Sequence, residues 1–233
     1  MFKIKTNTKK EAVFLFAIMF YVTCKITTDP LFFRTHMFHF FDYSMLISFS
    51  AFIFPLVYVL SDLIVFLKGR LIAIYVVLIG TFCDGFFSYS VYASSFFSQP
   101  TFPAEQVQQA SRSYAVDTLS SGFPPLWYHG LIASIITAIV EVIIFSFFLK
   151  KLKRFSSATI ISISITLISH NLFLDYPMVK AGYMTWSRVI NNLIFEISII
   201  IVYAIIIDIF ILFTTRTSKK ETVLKPEPKG VPI

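Results

Sequence analysis

Ser50-Ala51-Phe52-Ile53-Phe54-Pro55-Leu56-Val57-Tyr58-Val59-Leu60-Ser61-Asp62-Leu63-Ile64-Val65-Phe66-Leu67-Lys68-Gly69-Arg70 is the stretch on which the fold turns. Between Ala51 and Leu67 only Pro55, Ser61 and Asp62 interrupt the hydrophobic residues, and the run closes on two cations. Its apolar character begins upstream, at Ser44, so the whole run exceeds the roughly 20 residues that a membrane-crossing helix requires. A second run starts at once at Leu71, with only Lys68-Gly69-Arg70 between them. Two such runs joined by three polar residues read as consecutive transmembrane helices that turn at a membrane surface.

Working outward, the same pattern repeats. A basic head with Lys3, Lys5, Lys9 and Lys10 precedes an apolar run from Ala12 to about Thr28. The run from Leu71 continues to about Phe97, and a polar loop is expected over Ser98 to Pro125. Further runs cover Leu126 to Leu149, Phe155 to about Leu174, and about Val189 to Phe213. The reading is an all-α integral membrane protein with about six spans. Residues 1–11 form a cytoplasmic head, 12–214 a transmembrane domain, and 215–233 a disordered tail. Composition agrees: 56% of residues are hydrophobic and 14% charged, and mean hydropathy is +0.76, too apolar for a water-facing surface. Cys24 and Cys83 form no framework that reports on redox compartment.

The net charge of +7 is a matter of topology, not of nucleic-acid binding. With six spans, the head, the Lys68/Arg70 turn, the Lys150–Arg154 cluster and the tail share one side. Together they hold fifteen of the 20 basic residues, whereas Arg34, Arg112, Lys180 and Arg188 face the other. The positive-inside rule then places both ends in the cytoplasm. Cleavage of the first run as a signal peptide is disfavoured by its length, by Lys25 within it, and by the lack of a small-x-small site.

Ionisable residues at membrane depth cost at least about 2.5 kcal/mol each, which makes them functional candidates. Asp62 lies in the second run, Asp84 between Gly80 and Gly85 in the third, Glu141 in the fourth, and Glu196 and Asp208 in the sixth. His170, Asn171 and Asp175 close the fifth, and Asn191 and Asn192 open the sixth. Lys25 is the one deep base, so some acids can pair with it but not all; at least one is expected to face a cavity. Asp208 reads as interfacial, and His36, His39 and His129 as solvated. Pro55 removes a backbone donor and frees a carbonyl in the second span. No HExxH, GxSxG, Walker loop, dinucleotide fingerprint or Cys/His metal spacing is found, so neither an enzyme nor a bound cofactor is expected.

The Phe54-Pro55 pair, the aromatic-rich turn after it, Ser61-Asp62 and Gly69 resemble the second span of the VUT family, the YhhQ-like queuosine-precursor transporters. Ala133-Ser134 through Glu141 to Phe145 is similar to the family's fourth span, Asn171 matches a family Asn, and Asn192 to Tyr203 is similar to its last span. Phe66 stands where many members carry an acid, and Glu141 where Gln is common. The resemblance implies a multi-pass protein of the bacterial cytoplasmic (inner) membrane that imports 7-deazaguanine bases for tRNA-modification salvage. Its partners would be the lipid bilayer and a small nucleobase-like substrate. On that basis Glu141 and Glu196 are expected to flank the base, Asp62 to support the cytoplasmic gate, and Asn171 and Asn192 to contribute to the substrate site. A carboxylate can accept the adjacent N–H and NH2 of a guanine-like edge, and aromatic rings can stack on it. Two other classes fit the span count: a substrate-binding subunit of an energy-coupling-factor vitamin transporter, and a membrane assembly factor. A lipid-modifying enzyme is a further alternative.

Overall fold

The computed structural model describes residues 8–32, 34–40, 43–94, 96, 107–171, 175–182 and 184–223; of 8–10, 40, 43, 107–110, 112–113, 116–129 and 214–223 it describes the backbone alone. Helix α1 (Thr8–Phe32) leads into a hairpin of β1 (Thr35–Phe40) and β2 (Tyr43–Ser48), followed by α2 (Ser50–Lys68) and α3 (Arg70–Ser94). Then come α4 (Val107–Leu152), α5 (Phe155–His170), the short α6 (Tyr176–Lys180) and α7 (Trp186–Val223). Five helical stretches are long and apolar enough to cross a membrane: Glu11–Phe32, Ser50–Lys68, Arg70–Ser94, Gly130–Leu152 and Trp186–Phe213. The protein is thus a helical bundle with the pattern of a multi-pass membrane protein. The expected fifth run forms an apolar helix of 16 residues, about 24 Å at 1.5 Å per residue and shorter than the ~30 Å hydrocarbon core.

Helix α2 is the centre of the bundle and packs against α1, α3, α4, α5 and α7. Its residues from Val57 to Val65 are all buried, Ser61 and Asp62 included, as befits a helix surrounded by the others. The turn after it is a single residue. Gly69 has φ +86°, a conformation that side chains disfavour, and its N–H caps Val65 O at 2.8 Å. Pro55 sits one turn inside α2, and the nearby Phe52 carbonyl accepts the Tyr203 hydroxyl from α7 at 3.0 Å. The carbonyl that loses its helical donor to the proline is that of Ala51, and the Tyr203 bond ties α7 to α2 one residue along.

The two ends of the bundle differ in chemistry. At one end Lys68 pairs with Glu11, Arg154 Nε approaches Asp208 Oδ2 at 3.6 Å, and Ser156 donates to the same oxygen at 2.9 Å. Asp208 therefore sits among the basic turns. At the other end the hairpin folds over α2 and α7, with Phe38 set against the edge-to-face pair of Phe52 and Phe195. There Asn192 Oδ1 accepts the Ser48 N–H at 3.1 Å and its Nδ2 donates to Ser48 Oγ at 3.3 Å.

Three expected boundaries are corrected. Residues 44–48 are not the start of the second span but pair antiparallel with 35–39, and the helix begins at Ser50. Hydropathy reports burial without period, and a short apolar segment satisfies its backbone equally well in a ladder. The backbone from Val107 is helical where a loop was expected to reach Pro125. Polarity there keeps the segment out of lipid but does not disfavour a helix. Likewise α7 continues to Val223, beyond the apolar run that ends at Phe213.

Helices α1 and α3 meet tightly at Gly80. A Cβ built on Gly80 would stand 2.5 Å from Tyr21 Cε1, and Tyr21 is 1% exposed. Gly80→Val is therefore expected to destabilise the protein by about 1–3 kcal/mol through overpacking. A melting temperature in detergent equal to that of the unchanged protein would show that the two helices separate freely at this point.

Candidate functional site

Helical spacing brings polar groups to one face on three elements. Lys25 and Asp29 lie four apart on α1, Asp84 and Ser88 four apart on α3, and Asn192 and Glu196 four apart on α7. The end of α5 adds His170 and Asn171, and Asp175 follows. These groups converge on a cavity in the half of the bundle nearer the hairpin. Phe32 and Phe54 supply flat apolar wall, while Ser50, Gly85, Gly130, Leu131 and Ser134 complete the lining.

Lys25 organises one wall. Its Nζ lies 3.1 Å from Asp84 Oδ2 and donates to Ser134 Oγ at 3.1 Å. Lys25 is 5% and Asp84 6% exposed, so this ion pair is desolvated and each charge depends on the other. Asp84 Oδ1 is buried without a hydrogen-bond partner among the described residues. Ser88 donates to Asp29 Oδ2 at 2.9 Å beside it. Across the cavity Glu196 is 7% exposed, and no hydrogen bond or ion pair engages its carboxylate among the described residues. Asp175 closes a third side; burial pushes its carboxyl up to about 7, against the opposing pull of the Arg188 guanidinium. Arg188 itself donates to Phe32 O at 2.6 Å and lies over the Phe32 ring. The cavity thus presents four carboxyl groups and one lysine.

The five residues expected at a substrate site divide into two groups. Glu196, Asn171 and Asn192 line the cavity. Asn192 also holds Ser48, and Asn171, with its amide oriented to satisfy both neighbours, donates to Asp175 Oδ2 and Leu167 O at 3.2 Å. Glu141 and Asp62 do not line it, which corrects the expectation that Glu141 and Glu196 flank one ligand. They meet in the layer between α2, α4 and α5, each 0% exposed, on the side of the cavity toward the basic turns. Glu141 Oε2 accepts Ser61 Oγ at 2.9 Å, and Glu141 Oε1 accepts Ser162 Oγ at 3.5 Å. The reason is axial: Glu141 shares a face of α4 with Ser134 and Thr137 but lies two turns beyond Ser134, so its side chain is carried below the cavity floor.

Asp29 was not anticipated, because the apolar run was ended at Thr28; its i,i+4 relation to Lys25 was the available signal. Ser88 could have been found by the same spacing from Asp84. His170 is buried, packs on Phe54 with ring centroids 4.8 Å apart, and places Nδ1 3.4 Å from Thr137 Oγ1. His36 and His39 are exposed on β1, whereas the His129 side chain lies outside the described residues. Among the described residues no group of three or more His, Cys, Asp and Glu is arranged to hold a metal ion.

Comparison with family models, with curated proteins and with solved structures finds no match to this chain.

Proposed function

We propose that the protein is a transporter that binds a small, planar, donor-rich molecule in the cavity between α1, α3, α5 and α7, and that the molecule is a queuosine precursor. The observation that carries this reading is the Glu196 carboxylate, buried in the cavity wall and without a partner among the described residues. A desolvated carboxylate with no partner is expensive, and a ligand that donates two adjacent hydrogen bonds compensates it. A guanine-like edge has that donor pair, and Phe32 and Phe54 offer faces on which its ring can stack. The surplus of carboxyls over the single lysine also suits an aminomethyl substituent. The 7-deazaguanine assignment itself rests on the Phe54-Pro55…Asp62…Gly69 resemblance.

In this reading six segments cross the bacterial cytoplasmic membrane, and the basic turns with both chain ends face the cytoplasm. The cavity then opens toward the outer side, as an importer's loading state requires. The protein carries out no chemistry on the cargo and uses no cofactor.

The test is complementation. The chain is expressed in a bacterium that lacks queuosine-precursor synthesis and its own importer, and each precursor is supplied at low concentration. Queuosine in tRNA is then read by a boronate gel shift. Restored modification is the expected result. An inserted protein that restores none with any precursor sinks the cargo assignment.

A further inference from the structure

Asp62 and Glu141 are the most secluded ionisable groups of the bundle, and the cavity does not contain them. Both are 0% exposed, and Asp62 follows Ser61, whose hydroxyl donates to Glu141 Oε2 at 2.9 Å, so the two carboxyls share one buried layer. Glu141 receives its hydroxyl donors from Ser61 and Ser162, but neither Asp62 oxygen accepts a hydrogen bond from any described donor. The Thr159 hydroxyl beside Asp62 is also buried without a partner. No lysine or arginine is paired with either acid among the described residues. Two adjacent carboxylates in an apolar layer repel strongly, whereas one proton turns the same contact into an O–H···O hydrogen bond. The contact between the two carboxyls has no hydrogen of its own, and one proton supplies it.

A path joins this pair to the cavity. His170, in the cavity wall, has Nδ1 3.4 Å from Thr137 Oγ1, which lies 3.4 Å from the Tyr58 hydroxyl. Tyr58 and Ser61 then line a narrow void with Tyr21, Lys25 and Ser134, large enough for about one water molecule. Ser61 completes the route to Glu141. The other titratable groups on the packed elements are spoken for or distant in role: Lys25 and Asp84 are paired, Glu196 faces the cavity, and Asp208 joins the basic end.

We propose that the Asp62–Glu141 pair is a proton-binding site, loaded through Tyr58 from the cavity, and that it couples the proton gradient to uptake. This rests on the transport reading given above for its second half. The loading step forms a carboxyl O–H bond, and release toward the basic side returns the proton to water. Nothing else is oxidised, reduced or transferred.

The first measurement needs no cargo. Infrared difference spectra are recorded on the full-length protein in lipid vesicles at neutral pH, unchanged against Asp62→Asn and against Glu141→Gln. The expected result is a protonated-carboxyl carbonyl band that both variants lose and that shifts after transfer to D2O. Tyr58→Phe should retain the band but slow its shift severalfold. An unchanged band in Asp62→Asn overturns the shared proton, and a band that D2O never shifts reduces it to a locked structural bond. The second measurement uses queuine and a lumenal pH dye in vesicles. Queuine influx that acidifies the lumen in the unchanged protein, but not in Asp62→Asn, supports coupling. Influx driven by a sodium gradient and indifferent to pH overturns it. Absence of any queuine flux counts against the cargo assignment, while the infrared result still decides the proton site.

Discussion

A Lys25→Met variant is expected to lose about 3–5 kcal/mol of stability, because it strands the Asp84 carboxylate in a buried wall. Among the described residues the ammonium is the only cation paired with Asp84, at 3.1 Å, and Asp29 adds a second carboxyl close by. Removing one partner of a desolvated pair costs far more than removing both, since the remaining charge has neither water nor counter-charge. Lys25→Met combined with Asp84→Asn should therefore recover most of the loss. Melting temperatures of the four proteins of this cycle in one detergent give the coupling directly. If Lys25→Met melts where the unchanged protein does, or if the second substitution adds to the damage, the pair is not the keystone of this wall.

The second large effect is on binding. Glu196→Gln keeps the size of the side chain but replaces one acceptor oxygen with a donor, which faces the donors of the cargo. Hydrogen bonds to a charged group contribute about 1.5–3 kcal/mol, so affinity for queuine should fall by roughly tenfold to a hundredfold. Stability should hardly change, because the carboxylate has no partner in the described protein to lose. Titration calorimetry on the purified variant separates the two. Unaltered affinity in a normally folded Glu196→Gln protein would falsify the placement of the ligand against α7.

Particular residues explain how far the sequence could be read. The helical bundle was legible because lipid allows few solutions: runs such as Ala51–Leu67 and Ile132–Leu149 must be helical to satisfy their backbones. The Gly69 turn was legible for the same reason, since only three polar residues separate two spans. The hairpin was not, because Ser44–Ser48 is as hydrophobic as the helix it precedes and its partner strand is local but unmarked by any Asn-Gly or Asp-Gly turn. The deep acids could be named but not sorted. Whether Glu141 meets Glu196 or Asp62 depends on the axial level of α4 against α2 and α7, a quantity fixed by packing across the whole bundle. Lys25 could pair with any of several acids by composition, and only the close contact of α1 with α3 at Gly80 selects Asp84.

The same ion pair bears on how the protein is made. Of the five candidate spans, the first has the lowest hydropathy, 1.5, and it carries Lys25 and Asp29. A charge at the centre of a helix opposes insertion by about 2.5–3.5 kcal/mol, and Lys25 is the nearer of the two to the centre. The neutralising carboxylate, Asp84, lies on α3 and does not exist on the ribosome when α1 emerges. The first helix consequently waits for the third before it is at home in lipid, and partition into the bilayer proceeds for α1, α2 and α3 as a group. A nascent chain stopped before α3 would leave its N-terminal helix extractable from the membrane, whereas one stopped after Ser94 would hold it fast.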